Sequence, residues 1–344
     1  MTAPPLPTAV PSAGAAAAPV RPLGLADIRR PVEAELDEFR RVFRAQMRSR
    51  VGLLELVTRY VLRQKGKEIR PVLVLLAAKL CGGVTPQSYR GAALVELLHT
   101  ATLVHDDVVD EAERRRGAFS INALWKNKVA VLLGDYLLSR GLLLALDARD
   151  YALLHTVSDA VRRMSEGELL QIEKAARLDI DEATYLRIIG DKTASLIAAC
   201  LVCGAVSAGA DEATQARVRA VGEKLGLAFQ IRDDLFDYGG VDVGKPLGLD
   251  LQERKLTLPL IKALERADAG ERRRVMRIVR RRKKSAADVR AVQDFVRERG
   301  GLAYTRQAME ALAADAASEL QTFPPSGARD ALVGLAAYIV ARKV

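Results

Sequence analysis

Apolar residues recur at spacings of three and four along most of the chain. Val32, Leu36, Phe39, Val42 and Phe43 make one such stripe, and Leu53, Leu54, Val57 and Val61 make another. This is the period of a helix with one buried face. From about Leu25 onward the pattern predicts helices almost throughout, with long ones over 87–112, 120–146 and 211–238. Breaks are expected where glycine or proline clusters: Gly82-Gly83, Gly117, Gly239-Gly240, Gly300-Gly301 and Pro324-Pro325. No alternating strand pattern and no Asn-Gly hairpin signal stands out. Residues 1–23 read instead as a disordered Pro/Ala-rich tail, because Pro4, Pro5, Pro7, Pro11 and Pro19 interrupt any apolar run. Residues 24–344 are then expected to form one all-α domain, a single helical bundle.

Composition agrees with that picture. Nearly half of the 344 residues are hydrophobic but only 5% are aromatic, which is helix-forming rather than sheet-forming material. Three cysteines exclude a disulfide scaffold and point to a reducing, cytoplasmic setting. Thr193–Ala210 carries no charge, yet its Ala, Gly, Ser and Thr content suits a tightly packed core helix better than a membrane span. Cys200 and Cys203 fall inside that run without a second pair, so core packing is expected of them rather than zinc or redox chemistry. The net charge of +10 permits anionic partners without choosing among them.

The chemistry is carried by two clusters of the form Asp-Asp-x-x-Asp: Asp106, Asp107 and Asp110, and Asp233, Asp234 and Asp237. Positions i and i+4 share a helix face, so each cluster gathers like charges that repel unless a cation intervenes. Both are embedded in apolar sequence, which makes two solvated acidic faces a poor explanation. All-oxygen ligands favour Mg²⁺, whose coordination is commonly completed by water and substrate phosphates. Cations suited to phosphate lie nearby in sequence: Lys67 and Arg70, the run Arg114-Arg115-Arg116, and Lys245 with Lys255.

With these residues in view the chain resembles the trans-type isoprenyl diphosphate (polyprenyl) synthases. The resemblance spans roughly 40–320 through GKEIRP (66–71), LLHTATLVHDDVVDEAERRRG (97–117), VLLGDYLLSR (131–140), GELLQ (167–171), KTASL (192–196), FQIRDDLFDYGG (229–240) and GKPLGLDLQERKLTLPLI (244–261). It implies an all-α bundle around a deep central cavity, with both aspartate motifs facing its mouth. Asp106, Asp107, Asp110, Asp233, Asp234 and Asp237 then match the residues holding about three Mg²⁺ ions on an allylic diphosphate. Gly66, Lys67, Arg70, His99 and Arg116 match the isopentenyl diphosphate site. Arg115, Lys192, Thr193, Gln230, Lys245 and Lys255 match the groups around the allylic diphosphate. Asp106, Asp107, Asp233 and Asp234, with Lys192 and Lys245, are the expected catalytic set. Three positions depart from the family pattern: Lys65 in the usual Gly-Gly-Lys, Arg254 where glycine usually precedes the last lysine, and Arg114 where an apolar residue is common.

The implied reaction extends farnesyl or geranylgeranyl diphosphate with isopentenyl units. Product length turns on residues one helical turn deeper than Asp106, about 6–7.5 Å below it. Those residues are Thr102 and Ala101, where short-chain members usually carry a bulky floor. Leu98 and Leu97 are the next candidates, with Tyr136 or Leu137 as alternatives from a neighbouring helix. The open floor predicts a long-chain product, around C30 to C50 with C40 favoured, of the kind used for quinone side chains. A short-chain synthase and a non-catalytic subunit of a heteromeric synthase are the alternatives. The expected assembly is a homodimer in the cytoplasm. The basic run 272–284 could contact an anionic membrane surface transiently, and no nucleic-acid partner is expected.

Overall fold

The computed structural model describes residues 24–64, 66–115, 117–238 and 248–341. Its helices are α1 (Leu25–Arg29), α2 (Glu33–Gln46), α3 (Gly52–Arg63), α4 (Ile69–Leu80), α5 (Pro86–Val109), α6 (Ile121–Asp147), α7 (Tyr151–Arg177) and α8 (Glu182–Ile189). Then follow α9 (Ser195–Ser207), α10 (Glu212–Phe236), α11 (Leu249–Gln252), α12 (Leu258–Glu265), α13 (Ala269–Arg280), α14 (Ala286–Glu298), α15 (Gly301–Gln321) and α16 (Gly327–Ala341). The all-α architecture is as the periodicity predicts, and the three longest predicted helices match α5, α6 and α10 to within a few residues. The expected tail, residues 1–23, lies outside the described residues.

One element departs from expectation. Arg114–Arg115 (β1) and Ala118–Phe119 (β2) pair antiparallel around Gly117, with Arg115 opposite Ala118. Strands of two residues leave no alternation to read, so the pattern missed them. The ribbon is fixed from outside itself: Ser120 Oγ accepts the Ala123 N–H at 3.3 Å, capping α6, and donates to the Ala112 carbonyl at 2.5 Å.

The interior is built on α4 and α9. Pro71 to Ala78 of α4 are all buried, and α9 is buried on nearly every side. A helix apolar all round belongs in a core, which fits the reading of Thr193–Ala210. Small residues let its neighbours close in. A Cβ on Gly204 would fall 2.3 Å from the Val74 carbonyl oxygen on α4, and one on Gly226 of α10 would fall 2.4 Å from Ala194 Cα. Cys200 and Cys203 are completely buried there. Burial pushes the Cys200 thiol up to about 12, so it packs as an inert apolar group.

Between α8 and α9 the backbone passes through a single π-helical turn, Gly190–Ala194. Such turns are inserted residues in an otherwise α-helical run and often sit at functional sites. This one carries Lys192 and Thr193.

Candidate active site

Each aspartate cluster ends a long helix. Asp106 and Asp107 lie in the last turn of α5, with Asp110 as its C-cap; Asp233 and Asp234 lie in the last turn of α10, with Asp237 as its C-cap. Within each pair the two neighbours differ. Asp106 and Asp233 are exposed, whereas Asp107 and Asp234 are only 3% and 5% exposed. The β1–β2 ribbon folds back so that Arg115 Nε donates to Asp107 Oδ1 at 2.5 Å. Asp234 accepts from the Tyr185 hydroxyl at 2.7 Å and from Gln230 Nε2 at 2.9 Å, and Gln230 Oε1 in turn accepts from the Thr193 hydroxyl at 2.9 Å.

The electrostatics are those of carboxylates held against their preference. Burial, then the nearby charge of Asp250, pushes Asp234 up to about 7 despite its two donors. Burial and Asp237 push Asp250 up to about 6, against the pull of Lys255. Asp106 is raised by partial loss of water and by Asp110 and Glu168, with Arg115 and Lys192 opposing. Asp237 is raised mainly by burial; its Oδ1 accepts the Leu249 N–H at 2.8 Å, while its Oδ2 is buried without a partner among the described residues.

Cations converge on the same region. Lys192 pairs with Glu168 and donates to Gln171 Oε1 at 3.2 Å, and Lys255 pairs with Glu253 at 2.5 Å. Glu168 is the common neighbour: its charge acts on Asp106 from one side and on Lys255 from the other. Each cluster borders its own cleft, and Glu168 lies between their charges. A cleft of about 90 Å³ at the second cluster is lined by Lys192, Gln230, Asp234 and Lys255, together with Tyr185 and Asp250. A larger cleft of about 700 Å³ opens among α2, α3 and α5, with Gly66, Asp107 and Arg115 on its wall. Lys67 is exposed, Arg70 is half-buried and His99 is 7% exposed; none of the three lines that larger cleft. Arg116 and Lys245 lie outside the described residues.

A buried ion-pair triad holds the π-helical turn. Arg163 on α7 donates to Asp191 at 2.8 Å and to Glu223 on α10 at 3.2 Å, with Arg163 and Glu223 only 6% and 7% exposed. Gly167, one turn along α7, lets the backbone of Lys192 approach: a Cβ there would stand 2.8 Å from the Lys192 nitrogen. These contacts join α7, the π-helical turn and α10 around Lys192 and Thr193. Sequence reading missed Arg163, Asp191, Glu223, Tyr185, Glu168 and Asp250. Glu168 and Asp250 lie within the quoted motifs, which offered a signal; the other four carry none beyond residue type.

Comparison with known proteins decides the family. The polyprenyl synthetase family model matches residues 51–296. The chain belongs to the polyprenyl synthetase family. It is 37% identical over 299 residues to the octaprenyl diphosphate synthase of Escherichia coli, covering 86% of this chain and 92% of that one. A decaprenyl diphosphate synthase from Rhodobacter capsulatus superposes with a TM-score of 0.87 at 37% identity, over 93% and 99% of the two chains. A polyprenyl synthase from Caulobacter crescentus, solved with calcium and isoprenyl diphosphate, superposes at 0.85 with 36% identity, over 95% and 100%. The enzyme is thus a trans-prenyltransferase of the polyprenyl diphosphate synthase type.

Two family comparisons gain a physical reading. Arg254, where glycine is usual, has φ +59°, in the left-handed region that only glycine enters without steric cost. The fold keeps the glycine conformation at Lys255's neighbour and accepts the strain of an arginine. Of the chain-length candidates, Ala101 is 2% exposed and Leu98 is 1% exposed. Leu98 lies against α6, where a Cβ on Gly141 would come 2.3 Å from Leu98 Cδ1. Thr102 is half-buried, its hydroxyl donating to the His99 carbonyl at 2.9 Å. The Tyr136 hydroxyl donates to the Arg48 carbonyl at 2.8 Å, tying α6 to the α2–α3 connection.

Two outcomes follow from the charges. Asp234 and Asp250 have folded pKa values well above the unfolded range, so the metal-free folded protein holds protons that the unfolded chain releases near pH 4. Metal-free stability should therefore fall as pH rises from about 4 towards 7 and level off above it. Thermal melts across that range should show the slope, and Asp234→Asn should flatten it. Arg163→Leu leaves the buried Glu223 without its cation and the partly exposed Asp191 with only Arg187 at 3.9 Å, and should cost about 3–5 kcal/mol of stability. Calorimetry of that variant should show a much lower Tm than Arg163→Lys.

Proposed function

We propose that the enzyme uses Mg²⁺ to condense isopentenyl diphosphate with farnesyl or geranylgeranyl diphosphate, building a long all-trans polyprenyl diphosphate of around C40. The observation that supports this reading is that each acidic helix end has cations beside it, Arg115 at the first and Lys192 with Lys255 at the cleft of the second. The donor set fits a hard divalent cation. Its ligands are oxygens only, several are pushed towards protonation, and Asp237 Oδ2 is buried with no partner among the described residues. No three His, Cys, Asp or Glu side chains among the described residues converge to hold an ion unaided. Completion by diphosphate oxygens and water is the usual habit of Mg²⁺. Asp106, Asp107, Asp110, Asp233, Asp234 and Asp237 would hold about three such ions, which when bound supply neutralising charge for a leaving diphosphate.

The chain's own residues then have defined tasks. Lys192 and Lys255 stabilise the negative charge that develops on the diphosphate as its bond to the allylic carbon breaks. Thr193 and Gln230 orient Asp234 by their hydrogen-bond relay. Gly66, Lys67, Arg70, His99 and Arg116 bind the isopentenyl diphosphate, whose double bond attacks the allylic cation. Loss of one proton to the released diphosphate restores a trans double bond and balances the charge. The small residues Ala101 and Thr102 leave the first possible floor below Asp106 open. The reading includes a homodimer, supported by an exposed apolar side of α6 beyond its break at Lys126, at Val131, Leu132, Leu143 and Leu146. It includes a cytoplasmic enzyme in peripheral contact with an anionic membrane, and a quinone side chain as the use of the product.

The test is incubation of purified protein with Mg²⁺, farnesyl diphosphate and labelled isopentenyl diphosphate, followed by chromatography of the product chain. Incorporation should vanish with a chelator, and Asp233→Ala should lower kcat by ~10²-fold or more with the helical signal unchanged. Absence of incorporation by the wild type, or near-normal turnover of the variant, overturns the reading. Ala101→Tyr should shorten the product to about C15 or C20 by filling one turn below Asp106. An unchanged product distribution would refute the open-floor argument.

A further inference from the structure

We propose that the corner formed by α13 and the turn into α14 is an electrostatic docking surface for anionic lipid, placed at the rim of the second aspartate cluster. Eight basic side chains are exposed within twelve residues: Arg272, Arg273, Arg274, Arg277, Arg280, Arg281, Arg282 and Lys283. The local carboxylates are already committed. Asp268 and Glu271 form the capping box of α13, Glu271 also pairs with Arg299, and Asp288 pairs with Arg281 at 2.6 Å while capping α14. Among the described residues no carboxylate pairs with the other seven. The inward side is apolar and buried at Val275 and Val279, so α13 presents charge outward and inserts nothing. Contact with a surface is therefore by charge, at the headgroup level.

Position gives the surface a purpose. Gln252 Nε2 donates to the Lys284 carbonyl at 3.1 Å, and the Lys284 N–H returns to Gln252 Oε1 at 3.3 Å. Val289 on α14 packs on Gly248, where a Cβ would fall 2.5 Å from Val289 Cγ1, and Gln293 donates to the Asp237 carbonyl at 3.2 Å. The basic corner is thus bonded to the segment bearing Asp250 and Lys255 and to the end of α10. Resting on the polyprenyl reading, this would set the cleft of the second cluster close to the bilayer that must receive a water-insoluble chain. That destination favours lipid over nucleic acid, the other polyanion such a face could meet.

Sedimentation of the full-length protein with vesicles tests the proposal. Vesicles of phosphatidylcholine mixed with phosphatidylglycerol should bind the protein at low salt, and vesicles of phosphatidylcholine alone should not. Each basic residue near an anionic surface contributes about fivefold to binding, so combining Arg273→Gln, Arg277→Gln, Arg280→Gln and Arg282→Gln should weaken it by about a hundredfold or more. Prenyl transfer measured in detergent solution should be unchanged in that variant. Wild-type binding should also fall steeply with added salt, a readout independent of how the variant folds. Equal binding to both vesicles, full binding by the folded variant, or tighter binding to duplex DNA than to anionic vesicles would overturn the proposal. Protein that binds anionic vesicles but transfers no prenyl group would sink the prenyltransferase reading and leave the docking surface standing.

Discussion

Two groups of carboxylates sit where elementary electrostatics least favours them. Both are at helix C-termini, the negative end of the backbone dipole, and each gathers like charges one turn apart. Burial of Asp107 and Asp234 adds the cost of removing water from an anion. On the proposed metal-binding reading, the surroundings of both clusters hold that arrangement until cations complete it. Arg115 is folded back onto Asp107 by a ribbon of four paired residues, and Tyr185 and Gln230 satisfy Asp234 with neutral donors. Neutral donors relieve the desolvation without supplying a compensating charge, which leaves Asp234 free for the cation role proposed for it. A lysine in place of Tyr185 would satisfy the carboxylate and spoil it as a ligand.

The scaffold answers to the same constraint. Lys192 lines the cleft beside Asp234 from a run whose remainder is core, and it stands in the π-helical turn. The turn persists because Arg163 clamps Asp191 to Glu223, and because Gly167 and Gly226 bring α7 and α10 against it. A buried ion-pair triad is weak support for overall stability, since apolar residues could replace it at little cost. Its value here is registry: it fixes which residues of the turn face the aspartates.

Much of this was legible in the sequence. The three- and four-residue spacings of apolar positions specify helices whatever their partners, and the Asp-Asp-x-x-Asp clusters show themselves because i and i+4 share a face in any helix. Thr193–Ala210 reads as core because uncharged small residues suit close packing, and α9 is buried as that reading requires. Gly66, Lys192, Gln230 and Lys255 stand out through motifs, and the fold gathers the last three around Asp234.

Tertiary structure alone decided the rest. Asp106 and Asp107 are alike on paper, yet one faces solvent and the other an arginine, because burial depends on what packs across the helix. Tyr185 meets Asp234 across 49 residues of chain, and Arg163 meets Glu223 across 60; no local pattern encodes such pairs. The two-residue strands and the π-helical turn are equally silent, since neither has enough length to set up a period. Helical periodicity and charge spacing are properties of a segment, so the sequence determined the helices and the two aspartate clusters they carry. Which carboxylate is desolvated, which lysine is held beside it and which turn is distorted depend on contacts between segments, and only the packed molecule sets those.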